Sequence, residues 1–231
     1  MPQSDSEAVY GMKPSDPALY HKREIAEIAR RWDAKAQRWD SDLEDPNCHL
    51  NENGAYDRFL HIAEGLCKGR RATCAEGTLL DLGCGTGLVA AHLCRFFRNV
   101  VAVDVSSEML RFGKERGLAN VEWLQADAFE GSWVSKRPAA IVSRGVLLSH
   151  YGETQGRQLL DLAGSACNDP GFVLVDFLSD NAPSSVLEQT PNKTHFSCCD
   201  IRRMADEVGF GKVWFYGRKT DRVRFVALTR G

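Results

Sequence analysis

From about residue 77 onward, short apolar runs alternate with stretches whose apolar residues recur at helical spacing. Helical patterns occupy LVAAHLCRFF, SSEMLRFGKERG and QGRQLLDLAGSAC. The apolar runs predict five strands, GTLLDLG, NVVAVDV, VEWLQAD, AAIVSRG and GFVLVDFLSD. The last of these runs is continuously apolar, as a strand buried on both faces should be. This order is typical of a parallel sheet wrapped by helices.

The end of the chain predicts one more helix and a closing hairpin. The helix is CCDIRRMADEVGF, and the hairpin strands KVWFYGR and RVRFVALTR are joined through KTD. Together with the preceding runs, this predicts an α/β fold with a Rossmann-like, doubly wound sheet of seven strands. Five parallel strands are followed by an antiparallel final pair.

Residues 1–76 have a different pattern. Two helical patterns, LYHKREIAEIARRWDAKAQRWD and AYDRFLHIAEGLCK, are separated by the polar stretch SDLEDPNCHLNENG. This segment has too little apolar material for a core of its own. We therefore expect residues 1–76 to form a helical cap over one edge of the sheet, and residues 77–231 to form the main domain.

Composition excludes several function classes. The 231 residues carry a formal net charge of −2, so no overall positive field attracts nucleic acid or anionic lipid. The beginning of the sequence lacks a signal-peptide core, and no run is long enough to span a bilayer. We expect a cytoplasmic protein. The eight cysteines show neither a C-x-x-C pair nor zinc-type spacing, so free thiols and no metal site are expected.

The stretch LLDLGCGTGL places glycines at 83, 85 and 87 directly after the first strand. Glycine permits positive φ and a close approach of a ligand to the backbone. The dinucleotide fingerprint is G-x-G-x-x-G/A, and here its sixth position is Leu88, which opposes close packing around a pyrophosphate. A nicotinamide-dependent oxidoreductase is disfavoured by Leu88, and a purely structural turn stays open.

Acidic residues end the next two predicted strands. Asp104 can accept hydrogen bonds from both ribose hydroxyls of an adenosine. Its alternative role, capping the following helix, is already supplied by Ser106 and Ser107. In QADAFE, Asp127 can accept from an adenine amino group while the backbone N–H of Ala128 donates to a ring nitrogen, although a helix cap is its alternative.

At these positions the chain resembles the class I S-adenosylmethionine-dependent methyltransferases, in particular the small-molecule and ubiquinone/menaquinone-type members. The resemblance covers residues 77–231. It rests on LLDLGCGTG, VVAVDVSSEML, LQADAF, AIVSRGVLLSHYG and HFSCCDIRRMADEVGF. It implies that residues 77–231 are the catalytic domain and that the cofactor is S-adenosylmethionine.

The same resemblance implies the cofactor contacts. Asp81 and Gly83 face the methionine end, Asp104 faces the ribose, and Asp127 with Ala128 faces the adenine. A carboxylate at Asp81 favours the positive amino group and sulfonium of this cofactor, whereas it would repel phosphates. Its alternative role is to accept from the loop amides. The remaining cofactor contacts that the resemblance implies are Gly85, Val105, Met109, Arg144 and Trp39.

Methyl transfer from a sulfonium is an in-line displacement that depends mainly on positioning. A base is needed only when the acceptor holds its proton tightly. His150 is the candidate general base because its ordinary pKa of about 6.5 suits proton transfer near neutrality. Lining the pocket is its alternative role, and it is the expected role of Tyr151.

Absent motifs narrow the acceptor. No Asn/Asp-Pro-Pro-aromatic segment follows the fourth strand, which argues against amino-methylation of DNA bases, and no Pro-Cys stands there, which argues against methylation of cytosine C5. The paired-glutamate loop of the protein-arginine type is also missing. Ser143 and Arg144 occupy the place where the metal-dependent catechol type has an acidic ligand. We expect a metal-independent enzyme that methylates O, N, S or C of a small molecule, and a homodimer stays open. The alternative is a methyltransferase-fold protein that binds S-adenosylmethionine and acts as a regulator or partner without catalysis.

Two segments are candidates to cover the site, the first over the cofactor and the second over the acceptor. In RRWDAKAQRWD, Trp32 and Trp39 stand seven residues apart, which on one helix places them on nearly the same face. The resemblance implies a lid there, and packing on the sheet is the alternative. Tyr20 and His49 are weaker lid candidates. The long loop at residues 179–196 is expected to cover the acceptor, and its Lys193 and His195 are candidates to meet an anion.

Overall fold

The fold is described from a computed structural model for residues 17–44, 51, 54–145, 147–150, 152–188 and 193–231. Within these residues the helices are α1 Pro17–Asp33, α2 Trp39–Glu44, α3 Ala55–Gly69, α4 Arg71–Glu76, α5 Leu88–Leu93, α6 Ser107–Lys114, α7 Glu153–Ala166, α8 Ser184–Leu187 and α9 Cys198–Glu207. The strands are β1 Thr78–Leu82, β2 Asn99–Asp104, β3 Val121–Gln125, β4 Ala140–Ser143, β5 Phe172–Ser179, β6 His195–Phe196, β7 Lys212–Tyr216 and β8 Val223–Thr229.

The strands form one sheet in the order β3-β2-β1-β4-β5-β8-β7. Strands β1 to β5 pair in parallel, β8 runs antiparallel to β5, and β7 runs antiparallel to β8. The predicted Rossmann-like sheet and its closing pair are confirmed. The structure adds β6, which pairs with the end of β5 and was not predicted because two residues are too few to give a pattern.

Both faces of the sheet are covered by helices. In β2, Val100 and Ala102 pack towards one face, together with buried residues of α3, α4 and α5. Val101 and Val103 pack towards the other, with buried residues of α7 and α9. Both sets follow the two-residue period of a strand, which explains why the inner strands have continuously apolar sequences.

The N-terminal helices are divided differently from the sequence pattern. The single helix predicted through Trp32 and Trp39 ends at Asp33, a 3-10 turn spans Ala36–Arg38, and α2 begins at Trp39. The residues at the break are good helix formers, so propensity alone does not explain it. Tertiary contacts of the aspartates that follow each tryptophan, described below, explain it instead. The short helix α4 was also not predicted.

The segment at residues 179–196 is not a plain loop. It contains α8 and ends in β6, and the amide N–H of Thr194 donates to the Ser149 carbonyl over 3.0 Å. This hydrogen bond holds residues 193–194 beside the turn that follows β4. The segment therefore borders the carboxyl ends of the parallel strands.

Candidate functional site

A cavity lies beyond the carboxyl ends of β1 to β4, where the strand order reverses between β1 and β4. It has a large chamber and a small chamber, whose empty space, including the part open to solvent, is about 740 Å³ and about 360 Å³. Both chambers are lined by Trp39, Gly83, Arg144 and Gly145, so they adjoin. Ligands of doubly wound sheets bind at this place in the fold.

The structure brings the predicted site residues to this cavity. The large chamber is lined by the predicted residues Trp39, Gly83, Gly85, Asp104, Val105, Met109, Asp127, Ala128, Arg144 and His150. Asp81 lies apart from them and lines the small chamber. Asp81 thus lies at the small chamber of the cavity and Asp127 at the large one.

The glycine loop serves both the cavity and the packing. Gly85 has φ +55°, and a Cβ there would lie 3.0 Å from the indole nitrogen of Trp39. Gly87 has φ +76°, and a Cβ there would lie 2.3 Å from the Trp123 ring of β3. The first two glycines line the cavity, whereas the third makes room for an aromatic ring. Leu88 lines the small chamber.

Asp104 is buried and links two loops. Its carboxylate accepts from the amide of Gly85 over 2.8 Å and from the amide of Ser106 over 2.9 Å. Burial raises the pKa of Asp104, while these hydrogen bonds lower it. A carboxylate has about four acceptor positions, so the two amides leave capacity for hydroxyl donors. Ser106 caps α6 as predicted, since its side chain accepts from the amide of Met109.

Asp127 is also buried, and its carboxylate accepts from the amide of Phe129 over 3.0 Å. The next residue, Ala128, uses its carbonyl to accept from the indole of Trp133 over 2.9 Å. Residues 128–130 form a turn and no helix begins there, so the helix cap weighed as the alternative for Asp127 is not formed, and its carboxylate closes the turn through the hydrogen bond from Phe129. This role coexists with a position on the wall of the large chamber.

Asp81 is the most unusual carboxylate of the site. It is 1% exposed, and its hydrogen bond from the amide of Ala90 measures 3.1 Å. Burial, reinforced by the negative charge of Asp104, raises the pKa of Asp81 to about 7. No ion pair joins Asp81 to a cation in the described parts of the chain. The small chamber is therefore suited to a ligand that brings its own positive charge.

Two polar side chains of the cavity, Tyr56 and Ser143, have no role in the sequence analysis: it did not single out Tyr56, and it named Ser143 only for lacking a metal-binding carboxylate. The hydroxyl of Tyr56, on α3, is buried in the small chamber, and the hydroxyl of Ser143 is buried in the large one. Neither has a hydrogen-bond partner among the described residues. Burial raises the pKa of Tyr56, and the nearby charge of Asp81 raises it further. A buried hydroxyl normally has a partner, so both indicate a polar ligand.

Arg144 lies between the chambers and is held by a residue that the sequence analysis did not single out. Its guanidinium pairs with Asp176 of β5 over 2.7 Å, and both side chains are buried. Asp176 also accepts from the amide of Gly145 over 3.2 Å. A single aspartate inside the apolar run FVLVDFLS was the available signal. The ion pair fixes Arg144 and the turn that follows β4.

His150 lines the large chamber and stacks against Trp32, with ring centroids 6.3 Å apart and planes at 21°. Burial lowers the pKa of His150 to about 3, with a further contribution from Lys193, and a hydrogen bond with the Gly145 backbone opposes the shift. The imidazole is therefore neutral at pH 7, but a base with so low a pKa holds a proton weakly.

The two tryptophans meet although they do not share one helix. Their rings form an edge-to-face pair with centroids 5.4 Å apart, and both line the large chamber. The prediction of a shared face along one continuous helix is therefore wrong, because α1 ends at Asp33. The turn between α1 and α2 brings the rings together instead.

The aspartate after each tryptophan binds a loop of the site. Asp33 accepts from the Ser106 hydroxyl over 2.6 Å and from the amide of Glu108 over 3.1 Å, at the start of α6. Asp40 accepts from the hydroxyl of Thr86 in the glycine loop and pairs with Arg116. The α1–α2 segment is thus attached to both loops that surround Asp104.

Lys193 and His195 have separate surroundings. Burial together with the charges of Arg31 and Lys35 lowers the pKa of Lys193 to about 8. Burial lowers the pKa of His195, which lies near Arg222 and Asp180 instead. His195 does not line either chamber.

Among the described residues, no group of three or more His, Cys, Asp or Glu side chains is placed to hold a metal ion. None of the described helices combines the length and apolar character that crossing a bilayer requires. Tyr151 and His49, and the side chain of Tyr20, lie outside the described residues.

Residues 79–171 match the sequence model of a family described as "Methyltransferase domain". An uncharacterized methyltransferase of Mycobacterium tuberculosis (strain ATCC 25618 / H37Rv) is 33% identical over 113 residues, which cover 48% of this chain and 56% of that protein. The chain thus spans about half the length of the curated relatives it matches.

Solved structures show the same fold. Magnesium protoporphyrin IX methyltransferase from Synechocystis PCC 6803 with bound SAH gives a TM-score of 0.71 at 14% identity, covering 89% of this chain and 99% of that one. The DhpI–SAH complex gives 0.65 at 19% identity, covering 90% and 97%. The family match and the fold agree with the resemblance seen in the motifs. Residues 79–171 thus match a methyltransferase domain, and the chain has the fold of both solved structures.

Proposed function

We propose that this protein transfers a methyl group from S-adenosylmethionine to a small-molecule acceptor. The observation that carries the proposal is the buried Asp81, which lacks a cationic partner among the described residues and lies in the same cavity as Asp104 and Asp127. Three carboxylates around one cavity favour a ligand that is positive and has no phosphate. S-adenosylmethionine has both properties.

The donor set of the cavity fits this cofactor. Asp127 and Ala128 would hold the adenine, and Asp104 the ribose hydroxyls. Asp81 would hold the amino group, close to the buried hydroxyl of Tyr56. The structures of DhpI and of the Synechocystis enzyme contain SAH, which supports the same cofactor here.

The other predicted contacts complete the wall of the cavity. Gly83 and Gly85 let the ligand approach the backbone, and Val105 and Met109 would border the adenosine. Arg144, held by Asp176, would lie between the amino-acid end and the reacting centre. Trp39 closes both chambers.

When bound, S-adenosylmethionine supplies a methyl group on a positively charged sulfur. The protein then has to hold the acceptor in line with that methyl group and exclude water. Trp32 and Trp39 supply apolar cover over the large chamber. His150 is proposed to contact the acceptor and, where the acceptor carries a proton, to take it as a general base. With a pKa of about 3, this base is suited only to acidic protons.

The division of the chain remains part of the proposal. Residues 77–231 would supply most of the cofactor contacts and catalyse the reaction, and within residues 1–76 the α1–α2 segment would act as the cap. The helices α3 and α4 pack into the core on one face of the sheet and do not cap its edge as expected. The contacts of Asp33 and Asp40 with the cofactor loops support the role of the cap. Metal independence, a cytoplasmic location and a homodimer stay predictions.

Calorimetric titration with S-adenosylhomocysteine, with NAD as the control, tests the proposal. Binding of S-adenosylhomocysteine in the micromolar range without NAD binding would support the cofactor assignment. Asp81→Asn is the informative variant, because asparagine keeps the acceptor for the Ala90 amide but removes the charge. If NAD binds and S-adenosylhomocysteine does not, the result would favour a nicotinamide-dependent oxidoreductase, the alternative that Leu88 disfavours.

A further inference from the structure

Three cationic side chains gather beside the large chamber. Lys193 lies near enough to Arg31 and Lys35 for both charges to act on it, and its own charge acts on His150. The Lys35 ammonium lies 4.8 Å from the centre of the Trp32 ring. Trp32 and His150 line the chamber, so the three cations, none of which lines it directly, lie behind these two residues of its wall.

The position of Lys193 is fixed by the backbone. Next to it, Thr194 donates its amide hydrogen to Ser149, the neighbour of His150, and β6 follows immediately. The lysine is half-buried. Its backbone is therefore fixed beside the turn that carries His150, and its side chain is not freely extended into solvent.

The positive charge of this cluster is neutralised only in part within the described residues. Arg31 makes an exposed ion pair with Glu27 over 3.8 Å. No ion pair joins Lys193 or Lys35 to a described carboxylate. Clustering three cations is unfavourable unless an anion compensates, and a half-buried lysine adds the cost of desolvation.

The adjoining wall of the chamber is apolar. Ile25 and Ile28 of α1 and Leu147 after β4 line it together with Trp32. An acceptor bound here meets an apolar surface, with positive charge behind Trp32 and His150.

We propose that the methyl acceptor is an amphipathic anion whose carboxylate, phosphate or phosphonate group is bound by Lys193, with Arg31 and Lys35 adding to the positive potential. This inference rests on the proposed methyltransferase function and adds the substrate class. Where the anionic group is itself methylated, it is already ionised at pH 7 and needs no base, which agrees with the low pKa of His150.

The test uses calorimetry on the protein loaded with S-adenosylhomocysteine. The probes are benzoate and phenylphosphonate, with benzamide as the neutral control of similar shape. Both anions are expected to bind the wild-type protein at least tenfold more tightly than benzamide. The stronger of the two then identifies the carboxylate or the phosphonate class.

Variants locate the anion. Lys193→Met should weaken binding of the preferred anion about tenfold or more, the range for a lost hydrogen bond to a charged group. Lys193→Arg, which keeps the positive charge, should retain most of the wild-type affinity for the anion. Lys212→Met, which removes an exposed lysine of β7, is the matched control and should bind as the wild type does.

The outcomes separate this inference from the function on which it rests. Equal binding of benzamide and the anions, absence of anion binding, or an unchanged affinity in Lys193→Met would overturn the anionic acceptor while S-adenosylhomocysteine still binds. Failure of S-adenosylhomocysteine to bind the wild-type protein would overturn the proposed function instead. Unchanged S-adenosylhomocysteine affinity in Lys193→Met shows that the variant is folded.

Discussion

Binding of the cofactor is expected to expel a proton from Asp81. In the structure this carboxyl has a pKa of about 7, because it is buried and close to the charge of Asp104. A ligand ammonium placed beside it stabilises the ionised form and returns the pKa towards its ordinary value of 3.8. Protonated Asp81 must therefore lose its proton when the ligand binds.

The size of the effect follows from linkage. Between the two pKa values, binding releases close to one proton, so the association constant should fall about tenfold for each pH unit below 7. From pH 7 to pH 5 the expected loss of affinity is about 50-fold. Titration of S-adenosylhomocysteine at pH 5, 6 and 7 measures this slope, and buffers of different ionisation enthalpy report the proton directly.

Asp81→Asn is the control for this slope. The asparagine variant should bind more weakly at pH 7 and show little change of affinity between pH 5 and 7. An affinity of the wild-type protein that does not vary over this range would refute the reasoning, as would an undiminished slope in the variant.

The same pKa has a consequence for stability without ligand. Because the folded-state pKa is raised, the protonated carboxyl contributes stability that is fully present below pH 3.8 and is lost as the pH rises through about 7. Asp81→Asn should therefore raise the free energy of unfolding at pH 8, by up to about 4 kcal/mol. Chemical denaturation at pH 5 and pH 8 measures the difference between the two proteins.

Three further changes test the rest of the site. Asp104→Ala should weaken S-adenosylhomocysteine binding by about 1.5–3 kcal/mol, and wild-type affinity in calorimetry would remove the ribose assignment. His150→Gln should leave cofactor affinity unchanged and lower turnover with a protonated acceptor, whereas unchanged turnover would limit His150 to lining the pocket. Asp40→Asn weakens the contact with Thr86 and Arg116, so stopped-flow fluorescence of the tryptophans should show faster cofactor release; an unchanged rate would mean that the α1–α2 segment does not control release.

The central part of the fold was predictable because each strand is buried by its neighbours. Runs such as NVVAVDV have apolar residues on both faces, and that requirement appears in the sequence. The carboxylates at the strand ends, Asp81, Asp104 and Asp127, were found for the same reason: they follow recognisable strands. Each of these carboxylates lies at the cavity because of the sheet topology, which the motifs already implied.

The remaining features depend on contacts between distant parts of the chain. The helix break after Asp33 is set by hydrogen bonds to Ser106 and Glu108, which no local pattern reveals. Tyr56 belongs to a helix whose periodicity predicts packing on the sheet, and only the structure shows its hydroxyl in the small chamber. Asp176 had a local signal, because an aspartate in an apolar strand requires a partner.

The two Arg-Trp-Asp units at residues 31–33 and 38–40 give the α1–α2 segment more than a covering role. Inside the site, Asp104 holds the glycine loop and the start of α6 together through two backbone amides. Outside, Asp40 holds the first of these loops and Asp33 the second. Both loops are therefore fixed from two sides, and the tryptophan next to each outer aspartate closes the chamber between them.

This arrangement makes closure of the cap and shaping of the cofactor site one event. Trp32 and Trp39 line this side of the chamber, so moving the segment that carries them away from it requires the outer contacts to break. Each such hydrogen bond contributes only about 1 kcal/mol net, and the ion pair between Asp40 and Arg116 is partly exposed, which limits its contribution. An open form therefore costs a few kcal/mol and stays accessible, while the closed form fixes the two loops that would place Asp104 against the ribose in the proposed function.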